Sequence, residues 1–256
     1  MIDLHCHVIA GIDDGPSTIE ESMALARAAV SAGSRTLVAT PHVSWEYPNT
    51  ADTIARRVDD LRRRLRSEGV ALEVRTGAEI AMTRVGDIEA EELSRLTLGG
   101  RGRWLLVEPP FTLSASGLDL QVAELQEHGY SVVLAHPERC PALHRDRTML
   151  EALVESGVLG SLTAGSLDGR FGEPVRRFSL ELVRDGLVHN VASDAHDHSH
   201  RPPTISGELE RAGLGPLAEW LTQSVPAAIL AGSEIPPRPE VELTVHVGRR
   251  WLPHRR

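Results

Sequence analysis

The sequence has no lysine. All 27 basic residues are arginine, which removes Schiff-base catalysis, a lysine general base and the lysine-tipped phosphate loop from the available chemistries. There are two cysteines, Cys6 and Cys140, too few for a disulfide framework. Neither fits the cysteine-phosphatase loop. After His5-Cys6 the position that needs Arg is Ile12, and Cys140 lacks a preceding His and meets Arg145 one position early. No apolar run is long enough to cross a bilayer, and no basic segment followed by an apolar one opens the chain. A cytoplasmic protein without a membrane span is therefore expected. A formal charge of −9 argues against nucleic acid or an anionic membrane as a partner through bulk electrostatics.

What is present is a repeated phrase. An amphipathic helix ends at Gly, a short apolar run follows, and the run ends in a polar residue able to bind metal. In residues 17–32, Ser17 and Glu20 have capping-box spacing, Ile19, Met23, Ala26 and Val30 share one face, and Gly33 stops the helix. The run TLVATPH then leads to His42. Ile54, Val58, Leu61 and Leu65 form the next stripe, and the following run ends at Glu79. Seven such runs lie at about 2–7, 36–41, 72–78, 103–108, 131–136, 158–163 and 188–193. They are nearly continuous in Val and Leu, as strands buried on both faces are, and the helices between them imply a parallel sheet. Six of the seven ends carry His, Asp or Glu. A closed α/β barrel brings all strand ends to one mouth, whereas an open doubly wound sheet places ligands near one crevice. The barrel is the expected fold.

The first run carries His5 and His7, whose side chains point the same way along a strand. His42, Glu79, Glu108, His136, Asp194 and His196 occupy equivalent ends, and Asp14 lies in the first loop. A lone buried His is commonly a hydrogen-bonded core residue, and a lone strand-end Asp or Glu is commonly a helix cap. One polynuclear metal site accounts for all nine together. Three cations sharing a bridging carboxylate would use every donor and offset the repulsion between crowded carboxylates. The remaining histidines read as structural or peripheral: His128 as a helix C-terminal partner, His144 and His189 as structural, His198 and His200 as outlying neighbours of the cluster, and His246 and His254 as part of the tail.

The motifs His5-Cys-His7, IDDG (12–15), ATPH (39–42), GAE (77–79), VEPP (107–110), AHPER (135–139), TAGSLDGRFG (163–172) and SDAH (193–196) resemble the polymerase-and-histidinol-phosphatase (PHP) superfamily. In order and spacing they are most similar to its bacterial protein-tyrosine-phosphatase branch, associated with capsule or exopolysaccharide synthesis. The resemblance runs from residue 1 to about 235 and implies a PHP domain there, with 236–256 as a Pro-rich, basic tail. It implies a distorted, seven-stranded TIM-like barrel and three divalent ions, Mn2+ in the first place, with Fe or Zn also suited to the donor set. By the resemblance, one ion would sit on His5, His7, Glu79 and Asp194. A second would use Glu79, Glu108 and His136, and a third Asp14, His42 and His196, so that Glu79 bridges. Glu108 stands where many relatives have His.

Clustered dications acidify water and neutralise phosphoryl oxygens. The expected reaction is phosphomonoester hydrolysis by direct attack of a metal-bridging hydroxide, without a phospho-enzyme. Arg139 and Arg201 are positioned to grip the phosphate, and the resemblance supports both. A phenol leaves readily, so a general acid can be weak or absent; Asp194 and His196 are the candidates. Trp45, Tyr47 and Phe111 follow ligand positions and form a candidate aromatic wall. The expected substrate is a tyrosine-phosphorylated protein, such as the tail of a bacterial tyrosine kinase. A small-molecule phosphatase acting on histidinol phosphate, an amidohydrolase-type barrel and a non-catalytic metal-binding partner remain alternatives, and a homo-oligomer stays open. The tail reads as a surface segment or, alternatively, a docking arm for a partner, and VELTVHV (241–247) within it as a short edge strand.

Overall fold

A computed structural model describes residues 1–100 and 102–243. Nine parallel-paired strands form the centre: β1 (Ile2–Cys6), β2 (Thr36–Ala39), β3 (His42–Val43), β4 (Glu73–Thr76), β5 (Glu79–Ala81), β6 (Trp104–Glu108), β7 (Ser131–Ala135), β8 (Leu159–Thr163) and β9 (Asn190–Ala192). They lie in two sheets, of order β1-β2-β4 and β3-β5-β6-β7-β8-β9. The chain is an α/β protein with parallel sheets, and each of the seven apolar runs contributes strand.

The second and third runs are each followed, after a two-residue break, by a further short strand, and the break falls at the same level in both. Thr40 and Pro41 separate β2 from β3, while Gly77 and Ala78 separate β4 from β5. Pro41 has no N–H to give the ladder. A Cβ on Gly77 would stand 2.7 Å from a methyl of Val38, so only Gly permits the approach. Backbone bonds still cross the break: Thr40 N–H donates to the Cys6 carbonyl (3.0 Å), and Glu79 N–H donates to that of Pro41 (3.1 Å). At the far side, Cys6 bridges Ala195, His7 N–H donates to the Ala195 carbonyl (2.9 Å) and Asp194 N–H to that of His5 (2.9 Å). The ends of the first and last runs are thus held together.

Successive residues Leu105, Leu106 and Val107 are all fully buried, as are Val132, Val133 and Leu134, because the strands are covered on both faces. The helix Ala51–Ser67 supplies one such cover, burying Ile54, Val58, Leu61 and Leu65, and Thr50 caps it. The helix Ile19–Ser31 starts one residue later than the sequence spacing suggests. Its capping box is Thr18 with Glu21, not Ser17 with Glu20, because Glu21 accepts from both the Ser17 and Thr18 amides. Thr18→Ala should therefore lower the unfolding free energy by about 1 kcal/mol in urea denaturation, with Ser17→Ala close to neutral.

After the last helix (Val225–Ala231), Gly232 turns the chain and Pro236 accepts a hydrogen bond from the Trp220 indole (3.0 Å). Residues 241–243 are not strand. The remainder of the tail, with the rest of VELTVHV, His246 and His254, lies outside the described residues. Among the described residues no helix is long and apolar enough to cross a membrane.

Candidate metal centre

The strand ends deliver donors to one place. β3 pairs β5 with His42 opposite Glu79, and β5 pairs β6 with Ala81 opposite Glu108, so these three side chains share a face. Among the described residues two that are not glycine have positive φ, His136 (31°) and Asp194 (51°). Each follows a buried strand, and the left-handed turn aims its side chain back into the cluster. Backbone of this kind is held only where the surroundings enforce it, and it concentrates at functional sites.

Four overlapping groups of donor atoms form, each within 4.8 Å: His7, Asp14, His42 and His196; His5, Glu79 and His136; His5, His7 and Asp194; and His42, Glu79 and Glu108. Together they comprise the nine residues read from the sequence. The partition differs from that implied by the resemblance, in that His7 joins the group around Asp14 and His42 also faces Glu79 and Glu108. Most of these side chains are buried, while Asp14 remains 42% exposed.

Glu79 is the hub. Its Oε2 lies 3.2 Å from His5 Nε2, 3.3 Å from His7 Nε2 and 3.1 Å from His42 Nδ1, and its Oε1 is 2.8 Å from His136 Nε2. His5 Nε2 and His7 Nε2 face each other at 3.2 Å, and each also lies about 3.5 Å from Asp194 Oδ1. Oε2 of Glu79, although buried, has no hydrogen-bond partner. Unpaired buried carboxylate oxygens are costly. Lone-pair atoms of N and O type aimed at one another fit divalent cations such as Mn2+, Fe2+ or Zn2+.

Hydrogen bonds set which nitrogen of two histidines is free. His7 Nδ1 lies 2.7 Å from Asp13 Oδ2, and His196 Nδ1 donates to the Asp194 carbonyl (3.0 Å). In both, Nε2 is left to face the cluster, the arrangement by which outer partners orient metal-binding imidazoles. Asp13 also accepts from the amides of Gly15 and His42. Of the two carboxylates in IDDG, Asp14 lies among the candidate ligands, and Asp13 orients His7 from behind. Asp13→Asn is expected to weaken divalent-cation affinity ten- to a hundredfold by titration calorimetry, with the melting temperature of the metal-free protein much less affected.

The charges are mutually dependent. Burial pushes the Glu79 carboxyl up, but the charge of His5, the hydrogen bond from His136 and the close imidazoles of His5 and His7 outweigh it and hold it well below the usual range. Burial also disfavours the His7 imidazolium, yet Asp13 and Glu79 raise it well above the ordinary histidine value. Glu108 is pushed up to about 8 by burial and by Glu79's charge, so it needs cations nearby to ionise at neutral pH. His136 is lowered to about 4, by burial and by Arg139.

Arg139, on the turn Pro137–Arg139 after β7, and Arg201 both donate to Asp194 Oδ2, each at 2.7 Å. Asp194 is held ionised: burial opposes this, but His5, Arg201, His136 and Arg139 prevail. Arg201 hangs from a loop organised by Asp197, whose carboxylate accepts from the amides of Ser199, His200 and Arg201. Glu138, fully buried, accepts from Thr163 N–H and the Ser166 hydroxyl and so anchors the Arg139 turn. Arg139 lies between two rings, 5.1 Å from Phe111 and 4.4 Å from Phe171. Phe111 also stacks on His136 (5.4 Å), and Tyr47 on His42 (5.7 Å). Asp197, Glu138 and Phe171 were not singled out from the sequence; their only signal was proximity in the chain to motif residues.

The other histidines lie elsewhere. His128 caps its helix through the Glu124 carbonyl (2.8 Å). His144 bonds the Glu138 carbonyl and packs on Phe178, and His189 accepts from Gly160 N–H (3.2 Å). His198 and His200 are exposed. Both cysteines are buried and free.

Parallel strands that converge nine N and O donors define an α/β protein with a cluster of candidate metal ligands at its strand ends. The chain belongs to the family described as "Capsular polysaccharide synthesis, CpsB/CapC", which it matches over residues 1–211. It is 39% identical over 199 residues to the tyrosine-protein phosphatase YwqE of Bacillus subtilis, covering 77% of this chain and 78% of that protein. It is 30% identical over 210 residues to the tyrosine-protein phosphatase CpsB of Streptococcus pneumoniae, covering 79% and 86%. A crystal structure from work on YwqE and CpsB, described as "unique metal-dependent tyrosine phosphatases", superposes with a TM-score of 0.82 at 34% identity, over 94% of this chain and all of that one. The dihydropyrimidinase of Brevibacillus agri shares the fold, with a TM-score of 0.52 at 12% identity, over 95% of this chain and 73% of that one.

Proposed function

We propose that this chain is a metal-dependent phosphatase that removes phosphate from tyrosine on protein substrates, such as the tail of a bacterial tyrosine kinase of polysaccharide synthesis. The observation that carries this is the Glu79 hub: one buried, unpaired carboxylate oxygen facing three imidazole nitrogens at 3.1–3.3 Å, beside two arginines. Its relatives' names and the capsule-synthesis family support the same reading.

The cations are assigned as three divalent ions, Mn2+ first, held by His5, His7, Asp14, His42, Glu79, Glu108, His136, Asp194 and His196. They would supply positive charge for phosphoryl oxygens and acidify water. Arg139 and Arg201 present two planar forks beside the nest and bind the remaining phosphoryl oxygens. Asp194, ionised and shared by both arginines, orients those forks and does not act as an acid. His196, with Nδ1 committed to a backbone carbonyl, is likewise assigned to holding a cation. No full proton donor is needed, since a phenol of pKa about 10 is already a fair leaving group. Phe111 and Tyr47, stacked on His136 and His42, line the approach and keep water from the flanks of the donors.

The two sheets are read as one distorted barrel of seven units, closed by the hydrogen bonds between His5–His7 and Asp194–Ala195. Residues 1–235 are assigned to that domain and 236–256 to a tail, and the protein is assigned to the cytoplasm. The manganese-loaded protein should hydrolyse a phosphotyrosine peptide at least ten times more efficiently, in kcat/KM, than its phosphoserine counterpart or histidinol phosphate. Preference for histidinol phosphate, or equal use of both peptides, would replace this reading with the small-molecule alternative.

A further inference from the structure

Trp45 lies three residues beyond His42 of β3, and Arg84 lies in the short helix Met82–Val85 that directly follows β5. The pairing of His42 with Glu79 sets these two segments side by side at the mouth. The guanidinium carbon of Arg84 stands 4.2 Å from the Trp45 ring centroid. Trp45 is 65% exposed, so the face of its ring and the guanidinium stacked on it lie at the surface. Nε of Arg84 is buried and has no hydrogen-bond partner. Among the described residues no carboxylate forms an ion pair with this guanidinium, although Glu46 and Asp87 are close in sequence. The contrast with Arg139 and Arg201, both bound to Asp194, is direct.

An arginine stacked on an aromatic face is held flat, and its terminal NH2 groups can still meet an anion. An arginine without a carboxylate partner, stacked on an exposed ring beside the donor cluster, favours negative charge in whatever binds next to it, against the overall charge of −9. We propose that Arg84 and Trp45 form a subsite for a carboxylate side chain flanking the phosphotyrosine, so that acidic sequences are preferred substrates. The proposal rests on the phosphatase reading above, whose site it extends to the residues beside the scissile group. Because the subsite lies away from phosphorus, it acts through binding and is read in KM rather than kcat.

The test compares two peptides, one with Asp and Glu beside phosphotyrosine and one with Asn and Gln. Rates with the manganese-loaded full chain are normalised to p-nitrophenyl phosphate, which has no flanking residues. The wild type should favour the acidic peptide about fivefold in kcat/KM at low salt, through KM, and lose the preference at high ionic strength. Arg84→Gln should erase the preference, Arg84→Lys should keep part of it, and Trp45→Leu should weaken it. In parallel, fluorescence anisotropy with the same peptides carrying a non-hydrolysable phosphonate reads binding without turnover. No acidic preference in the wild type, or a preference that survives Arg84→Gln, overturns the subsite. An Arg84-dependent binding preference without turnover of any phosphate ester would leave the subsite standing and remove the phosphatase reading instead.

Discussion

Glu79→Gln is expected to strip the protein of tightly bound divalent cations and to lower phosphotyrosine turnover by about a thousandfold or more. The substitution keeps shape and removes charge. Oε1 and Oε2 together face His5, His7, His42 and His136 at 2.8–3.3 Å, more close contacts at that range than any other donor of the cluster makes. An amide offers one weak oxygen in place of two charged ones, and cations that share the carboxylate lose a common ligand at once. Elemental analysis after gel filtration, alongside the peptide assay, checks both parts. Retained cations with lost activity would assign Glu79 to the reaction rather than to metal retention. Retained activity would remove its central role.

Arg139→Ala with Arg201→Ala should lower kcat/KM for a phosphotyrosine peptide by about a hundred- to a thousandfold while leaving bound metal unchanged. Each charge-assisted hydrogen bond is worth roughly 1.5–3 kcal/mol, or about tenfold or more in rate per residue. The two should be less than additive, since both touch Asp194 Oδ2 at 2.7 Å and removal of one leaves the other to hold it. Inhibition by inorganic phosphate should weaken in step. Loss of metal in the double variant would mean that the arginines hold Asp194 for the cations and do not bind phosphate.

The strands were legible because each is a continuous apolar run closed by one polar residue, and that residue type is what the core expels to its rim. Val133 and Leu134 have no alternative to burial, so His136 must emerge just beyond them. Less was legible where a single backbone detail decides. The breaks at Pro41 and Gly77 depend on one missing N–H and one missing Cβ across neighbouring strands, and the sequence does not reveal which strands are neighbours. The capping box moved from Ser17 to Thr18 because spacing of three fits both residues, and only the loop's direction chooses between them. Donor types and their rough place were readable from strand ends. Their supports were not: Asp13 behind His7, Asp197 beneath Arg201 and Phe171 against Arg139 act through directions that side chains take only once the loops have folded. The positive φ of His136 and Asp194 belongs to the same class: His and Asp tolerate it better than most residues, but nothing in the local sequence marks these two positions among the others.

The most direct measurement is anomalous diffraction, at the manganese edge, from crystals grown with Mn2+. Peaks are expected in contact with Glu79, bounded by His5, His7 and Asp194 on one side and by His42, Glu108 and His136 on another. Further density is predicted beside Asp14 and His196. A map with no peak within coordination distance of Glu79, in crystals whose protein hydrolyses phosphotyrosine, would contradict that assignment.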